Sequence, residues 1–254
     1  MYFLEKGQGQ ALVFLHGFCE TSLLWQDIAG RYASRYKIYV PDLPGFGKTL
    51  SQFTSDPSID TIADELKNWL DEQGIDKPVL IGHSLGGYII LSLLERHPEL
   101  AKAVALVHST AKADTDIRKE NRLKVLAFIE RNGVPKFIES FVPSLFRPEN
   151  VKAYPEKIRL LIDAGAQTPI ESITYYTLAM RARPDRMHVL SGLTIPGLFI
   201  AGQEDQTVPL EFSREHRSLS PWLRYEELPD TGHMGMLEQR SMFLKALDDF
   251  LETV

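Results

Sequence analysis

Pro78-Val-Leu-Ile-Gly-His-Ser84-Leu-Gly-Gly-Tyr-Ile-Ile-Leu91 decides the fold, because a buried strand runs in it directly into a buried helix. The residues from Val79 to Gly82 are apolar or small without alternation, which is typical of a parallel strand covered on both faces. After Ser84, apolar residues recur at helical spacing. Glycines on both sides of Ser84 permit a sharp turn that exposes the hydroxyl at a helix N-terminus, where free N–H groups stabilise negative charge. Gly-x-Ser-x-Gly also occurs by chance, so a glycine-rich connection without chemistry stays open from these residues alone.

The composition fits a protein with one large hydrophobic core. With 254 residues and 44% hydrophobic content, the chain can bury a sizeable core, and α/β architectures of this length often form a single domain. The formal net charge is −6, and the sequence has no run of basic residues. We therefore expect no nucleic-acid partner and no binding to an anionic membrane surface.

Features that the sequence lacks bear on the location of the protein and on covalent cross-links. No stretch approaches the roughly 18 apolar residues of a membrane span, and residues 1–6 lack the layout of a signal peptide. We therefore expect a cytoplasmic protein. Cys19 is the single cysteine, which excludes an internal disulfide and a cysteine-based metal cluster. The residues leave homodimer formation open.

Strand and helix patterns alternate over most of the chain. Strands are predicted over residues 2–5, 11–15, 36–40, 79–82, 103–107, 195–201 and 222–228. Amphipathic helices are predicted between them, the clearest over residues 58–73, and another closes the chain. This alternation predicts an α/β fold with a mostly parallel, twisted sheet of about seven strands and helices on both faces.

The alternation stops between residues 110 and 191. Helices are predicted there over residues 117–131, 135–146, 149–164 and 169–183. We expect a core domain of residues 1–109 and 192–254, with residues 110–191 inserted as an all-helical cap over the site. Most bulky residues of the insertion are expected to form its own core. The candidates for lining an apolar substrate pocket are Phe128, Phe141, Tyr176 and Met180.

Polar side chains follow several of the predicted strands. Ligand chemistry in open α/β sheets gathers outside the carboxyl ends of the strands, and the residues at such ends are His16, Asp42, Ser84, Asp205 and His233. Asp42 lies in a turn rich in proline and glycine, where an aspartate more often bonds neighbouring backbone N–H groups than acts in catalysis. The turn at Phe18 either directs a backbone N–H into a site or is a plain strand-to-helix turn in which the Phe18 side chain packs.

Serine, aspartate and histidine together suggest nucleophilic catalysis. A serine hydroxyl is a weak nucleophile until a base removes its proton, and histidine suits that task near neutral pH. A buried carboxylate fixes the imidazole tautomer and stabilises its cationic form. The three residues occur in the order Ser84, Asp205, His233, which is the chain order of α/β-hydrolases.

The chain resembles the α/β-hydrolase superfamily through five landmarks spread over its length. They are His16-Gly-Phe18, Pro41-Asp-Leu-Pro-Gly-Phe-Gly47, Gly82-His-Ser-Leu-Gly-Gly87, Gly202-Gln-Glu-Asp205 and Thr231-Gly-His233. One departure is that a single strand precedes residues 11–15, so the usual first edge strand is absent. The resemblance implies an enzyme that uses no cofactor and no metal.

The resemblance also implies roles for particular residues. Ser84 would be the nucleophile, His233 the general base and acid, and Asp205 its orienting partner; the last is preferred over Glu204 because the superfamily places the acid three residues after the strand-ending glycine. The backbone N–H groups of Phe18 and Leu85 would form the oxyanion hole. The helical insertion would be the superfamily's cap.

Three functions are compatible with these residues. The first is hydrolysis of a small carboxylic ester, thioester or lactone through an acyl-enzyme. The second uses the same triad on an anionic substrate, as a carbon-carbon bond hydrolase or a lyase like that of the menaquinone pathway. Its candidate anion-binding residues are Arg118, Arg122, Arg181 and Arg183, although a solvated helix face explains each of them as well or better. The third is a non-catalytic small-molecule receptor.

Overall fold

The computed structural model describes residues 1–54 and 56–254, and its centre is a seven-stranded sheet. In spatial order the strands run β1-β3-β2-β4-β5-β6-β7. Their bounds are β1 Phe3–Lys6, β2 Ala11–Leu15, β3 Lys37–Pro41, β4 Val79–His83, β5 Ala103–Val107, β6 Gly197–Gly202 and β7 Leu223–Leu228. Only β1 is antiparallel to its neighbour; each of the other pairs is parallel. The predicted fold class, including the single strand before β2, is confirmed.

Helices surround this sheet and fill the connection between β5 and β6. Their bounds are α1 Gln26–Tyr32, α2 Ile59–Glu72, α3 Leu85–Arg96, α4 Asp116–Asn132, α5 Val134–Ser144, α6 Pro155–Gly165, α7 Ile170–Ala182, α8 Met187–Ser191, α9 Leu210–Arg214, α10 Gly235–Glu238 and α11 Arg240–Leu251. None of the helices described is long and apolar enough to cross a membrane.

The inner strands are buried on both faces, as a parallel sheet between helices requires. Every residue of β4, β5 and β6 is buried, which explains why their sequences do not alternate between apolar and polar residues. The carboxyl ends of these strands meet at one edge of the sheet. Ser84 follows β4, His108 follows β5 and Asp205 follows β6, so the topology alone brings these side chains to one region.

The helical insertion differs from its prediction in two places: α8 was not predicted, and one predicted helix is divided. The helix predicted over residues 149–164 is divided into a 3₁₀ helix, Pro148–Ala153, and α6. Pro155 is the cause, because the ring of a proline disfavours the α-helical conformation of the residue before it. Tyr154 accordingly has φ −124° and ψ 43°, and Pro155 begins the next helix, where its missing N–H breaks no hydrogen bond.

The insertion and the sheet share a continuous hydrophobic core. The ring of Tyr176 in α7 lies 4.7 Å from that of Phe46 in the loop after β3, and its hydroxyl donates a hydrogen bond of 2.9 Å to the carbonyl of Pro44. No strand interrupts residues 108–196, all of which are described. These contacts hold the insertion against the carboxyl-end loops of the sheet.

Candidate active site

Ser84 occupies the tight turn between β4 and α3. Its backbone has φ 49° and ψ −108°. Residues other than glycine rarely adopt this conformation, and it persists only when the surrounding structure holds it. The Ser84 N–H donates to the carbonyl of Val107 at 2.9 Å, and the Ser109 hydroxyl donates to the Ser84 carbonyl at 2.8 Å. The Ser84 hydroxyl makes no capping bond to its helix, so it is available for chemistry.

Glycines are required around this serine because the strand and the helix approach closely. A Cβ atom on Gly82 would lie 2.5 Å from the backbone of Gly86, and one on Gly87 would lie 2.3 Å from the Ser109 hydroxyl oxygen. Both distances are far inside van der Waals contact. The glycine pattern that predicted a sharp turn therefore has a steric cause.

His233 and Asp205 form a buried hydrogen-bonded pair. His233 Nδ1 lies 2.7 Å from Asp205 Oδ2, while Asp205 Oδ1 accepts the N–H groups of Thr207 and Val208 at 2.8 Å each. Burial raises the pKa of Asp205, but His233 and His108 lower it by more, so the pKa lies well below its usual range. The carboxyl group is therefore ionised, and it fixes the proton of neutral His233 on Nδ1. This leaves Nε2 as the basic nitrogen.

Ser84 and His233 line the same cavity of about 430 Å³ between the sheet edge and the helical insertion. Its wall is mainly apolar and includes Phe18, Val125 and Phe137. A volume of this size suits a small organic molecule. The structure therefore brings the nucleophile and the base predicted from sequence to one cavity.

The four residues predicted to bind substrate divide into two pairs. Phe141 and Met180 line the cavity. Phe128 does not; its side chain is 39% exposed, because it lies on the outer side of α4. Tyr176 is fully buried but also absent from the cavity wall, because its hydroxyl is committed to Pro44. Phe128 and Tyr176 are thus withdrawn as substrate-binding residues.

Of the two residues whose N–H groups are predicted to bind an oxyanion, Phe18 lines this cavity and Leu85 directly follows Ser84, which also lines it. Leu85 is the first residue of α3, so its N–H has no partner within the helix. Phe18 borders the cavity, and across the described residues neither N–H donates a hydrogen bond to the protein. His16 orients the Phe18 N–H: its Nε2 accepts the N–H of Leu43 at 2.9 Å, so its Nδ1 carries the proton and donates to the Gly17 carbonyl at 2.8 Å. The Gly17 carbonyl and the Phe18 N–H belong to the same trans peptide group and point in opposite directions, so fixing the carbonyl also fixes the N–H.

The alternative acids considered from sequence have structural partners. Asp42 accepts the N–H groups of Ser22 at 2.7 Å and Lys48 at 2.9 Å, so it holds a turn. Glu204 has a side chain that is 44% exposed, and it pairs with Arg147 at 2.8 Å. Neither borders the cavity, which leaves Asp205 as the carboxylate beside His233.

Positive charge collects on one wall of the cavity. Asp114 has a fully buried side chain and contacts three guanidinium groups, those of Arg118, Arg122 and Arg183. Arg118 and Arg122 also line the cavity, whereas Arg181 and Arg183 do not. Burial raises the pKa of Asp114, but the arginines lower it by more, so the cluster contains three positive charges and one negative charge.

Three buried residues beside Asp205, His233 and Ser84 were not predicted from the sequence. His108 Nε2 accepts the N–H of Gly235 at 3.1 Å, so its Nδ1 carries the proton, and Nδ1 lies 3.4 Å from Asp205 Oδ2. His108, Asp205 and His233 offer atoms close enough for a metal ion, but His233 Nδ1 and Asp205 already form a hydrogen bond with each other, and His108 Nε2 accepts the Gly235 N–H. Glu20 Oε2 accepts the Gly17 N–H at 2.6 Å and lies 2.9 Å from His83 Nδ1. Their positions in the sequence carried no periodic signal.

Comparison with known proteins agrees with this geometry. A family model described as alpha/beta hydrolase fold matches residues 10–239. The pimeloyl-[acyl-carrier protein] methyl ester esterase of Aeromonas hydrophila is 28% identical over 252 residues, which cover 96% of each chain. Among solved structures, a thermophilic esterase from Thermogutta terrifontis superposes with a TM-score of 0.92 at 26% identity, covering 99% of this chain and 93% of that one. An enol-lactonase from Burkholderia xenovorans shares the fold, with a TM-score of 0.90 at 21% identity over 99% of this chain and 96% of its own. The chain is a hydrolase and belongs to the alpha/beta hydrolase fold family.

Proposed function

We propose that the protein is a cofactor-independent serine hydrolase acting on a small carboxylic ester, thioester or lactone. The observation that carries the proposal is the His233–Asp205 pair, which leaves the basic Nε2 of His233 free in a cavity that Ser84 also lines. The methyl ester esterase and the esterase among its relatives act on the same class of bond. Cytoplasmic residence and the cap role of residues 110–191 remain part of this proposal.

In the proposed reaction, His233 Nε2 takes the proton of the Ser84 hydroxyl as its oxygen attacks the substrate carbonyl. Asp205 stabilises the imidazolium that forms without itself taking the proton. His233 then donates that proton to the leaving alcohol, thiol or lactone oxygen. In the second half, His233 activates water, which attacks the acyl-enzyme and releases the acid and free Ser84.

The negative charge that develops on the carbonyl oxygen needs donors that are already in place. The N–H groups of Phe18 and Leu85 would supply them, since neither is used by the protein. Loss of one oxyanion donor lowers kcat by about 10²–10³ in a serine protease. Because both donors are backbone groups, the side chains that orient them become the accessible test of this role.

The decisive experiment compares Ser84→Ala with Ser213→Ala in hydrolysis of 4-nitrophenyl esters of graded chain length, alongside lactones. Ser213 in α9 is also buried but is not one of the residues that line the cavity. We expect Ser84→Ala to lose turnover and labelling by a fluorophosphonate probe, with Ser213→Ala keeping both. Full ester turnover by Ser84→Ala contradicts the proposal, and an unlabelled, inactive wild-type protein would favour the receptor hypothesis.

A second candidate function is supported by the charge on the cavity wall. Arg118 and Arg122 line the cavity, and together with Arg183 they share the carboxylate of Asp114. This excess of positive charge favours a substrate that carries a carboxylate, as an anionic ester or as the substrate of a carbon-carbon bond hydrolase or lyase. The triad would act in the same way on either bond.

Substrate charge separates these candidates. Arg118→Gln should lower kcat/KM for the monomethyl ester of a dicarboxylic acid by about tenfold or more, the value of one charged hydrogen bond, and leave a neutral methyl ester of equal length within about twofold. Arg131→Gln, on the same helix but outside the cavity wall, is the matched control. An acidic dienone in the panel tests carbon-carbon cleavage. Equal losses on charged and neutral esters would remove the support for an anionic substrate.

A further inference from the structure

Glu20 joins two loops that the proposed reaction depends on. Its Oε2 accepts the N–H of Gly17 at 2.6 Å and lies 2.9 Å from Nδ1 of His83. Gly17 directly precedes Phe18, and His83 directly precedes Ser84. The side chain of Glu20 borders the cavity but is only 5% exposed, so water competes little for these bonds. One side chain thus connects the proposed oxyanion loop with the nucleophile turn.

His83 extends the connection to the loop of the catalytic base. Its Nε2 lies 3.0 Å from the backbone carbonyl of His233, and the two rings are 4.8 Å apart. Both partners of His83, a carboxylate and a carbonyl, are hydrogen-bond acceptors, so both ring nitrogens donate and the ring is an imidazolium. Burial lowers the pKa of His83, but Glu20, the His233 carbonyl and Asp205 together raise it by more, above its ordinary value. Burial raises the pKa of Glu20, but His83, the Gly17 N–H and His16 together lower it by more, below its ordinary value.

The packing leaves no room for a side chain on Gly17 at this junction. A Cβ atom on Gly17 would lie 2.7 Å from Glu20 Oε2 and 2.7 Å from His83 Nδ1. Glu20 and His83 therefore contact the Gly17 backbone directly. Since His16 holds the Gly17 carbonyl on the other side, the peptide groups around Gly17 are fixed at both ends.

We propose that Glu20 and His83 are positioning residues, a buried ion pair that holds the Gly17–Phe18 backbone, the Ser84 turn and the His233 loop in register for the reaction. This inference rests on the proposed serine hydrolase function. The pair lies outside the Ser84–His233–Asp205 row and does not transfer a proton. Its effect is geometric: it sets where the oxyanion donor and the base lie relative to the Ser84 hydroxyl.

Glu20→Gln tests the pair because it keeps the size of the side chain and removes its charge. We expect kcat for an ester to fall by about tenfold to a hundredfold, part of the 10²–10³ that an oxyanion donor contributes, with KM within about twofold. A trifluoromethyl ketone analogue of the ester, whose adduct with Ser84 carries an oxyanion, should bind more weakly by a similar factor. A kcat and an analogue affinity both within twofold of the wild type overturn the proposal.

Two substitutions of His83 separate its two bonds. An asparagine amide nitrogen can replace Nδ1, and a glutamine amide nitrogen can reach the place of Nε2. His83→Asn thus keeps the bond to Glu20 and loses that to the His233 carbonyl, whereas His83→Gln does the reverse. We expect both to lower kcat at least about tenfold. If Glu20→Gln does not fold, these variants decide the question, and unchanged kcat in both rejects the proposal.

Two controls distinguish positioning from general destabilisation and from failure of the proposed function. His216→Gln changes another buried histidine, which accepts the N–H of Ala111 at 2.9 Å and lies outside the cavity wall. It should lower Tm without lowering kcat or analogue affinity. Ser84→Ala in the same assay reports on the triad: if it abolishes turnover while Glu20 and His83 variants remain fully active, only the positioning role fails.

Discussion

His108 Nδ1 lies 3.4 Å from Asp205 Oδ2, the same oxygen that binds His233. Because His108 Nε2 accepts the N–H of Gly235, the ring is neutral and directs its N–H at the carboxylate. Burial lowers the pKa of His108 to about 4, a larger effect than the attraction of Asp205. Asp205 thus has a second, uncharged neighbour that helps to keep it ionised.

The neutral state of His108 makes stability depend on pH. Its pKa falls from 6.5 to about 4 on folding, so between these values the unfolded chain binds a proton that the folded chain does not. Stability contributed by the group is complete above pH 6.5 and declines as the pH falls towards 4. From pH 7 to pH 5 the decline amounts to about 2 kcal/mol.

His108→Gln should remove this decline, because glutamine accepts the Gly235 N–H but does not titrate. Urea unfolding of the wild type and the variant at pH 7 and pH 5 gives the comparison. The wild type should lose about 2 kcal/mol more than the variant over this interval. Equal losses would show that His108 is already charged in the folded protein or exposed to water.

Asp205→Asn should lower kcat by about 10²–10⁴, since an amide no longer fixes the tautomer of His233 or stabilises its cation. KM should change little, because Asp205 does not border the cavity. Glu204→Gln is the control, as its carboxylate pairs with Arg147. We expect it to retain activity within about twofold. The reverse outcome would assign the acid to Glu204.

Two glycines should respond in opposite directions to alanine. Gly87→Ala places a methyl group 2.3 Å from the Ser109 hydroxyl, and overpacking of this kind lowers stability by about 1–3 kcal/mol or more. Gly30→Ala meets no atom within 4 Å and lies in α1, where it should raise stability by about 0.5–1 kcal/mol. Thermal unfolding of both variants tests the pair. A stabilised Gly87→Ala would mean that the turn beside Ser84 can open.

The sheet could be predicted well from the sequence, because each inner strand is marked by a local run of apolar residues. The inner strands are short apolar runs that are buried on both faces, and the structure moves their limits by no more than two residues, as for β6 at Gly197–Gly202 against a prediction of 195–201. The convergence of Ser84, Asp205 and His233 followed from chain order and strand ends. The break at Pro155 was missed, although the proline itself marks it.

The rest of the site depends on contacts that local patterns do not contain. Glu20 and His83 are 63 residues apart, and His83 and His233 are 150 apart, so no periodicity links them. Arg118 and Arg122 have the spacing of a solvated helix face, and only the packing of α4 over the cavity turns them inward. Phe128 shows the opposite case, an apolar residue whose helix turns it outward.

Asp114 holds two of the arginines in place. Its carboxylate accepts hydrogen bonds from Arg122 and from Arg183, the latter at 2.8 Å. Asp114→Ala leaves the buried guanidinium group of Arg183 without its anion, and loss of one member of a buried pair lowers stability by about 3–5 kcal/mol. Urea unfolding measures this loss. Asp116→Ala, an exposed acid two residues away, should change stability by less than about 0.5 kcal/mol. If the two variants are equally stable, the arginines find other partners or water, and the positive wall of the cavity does not depend on Asp114.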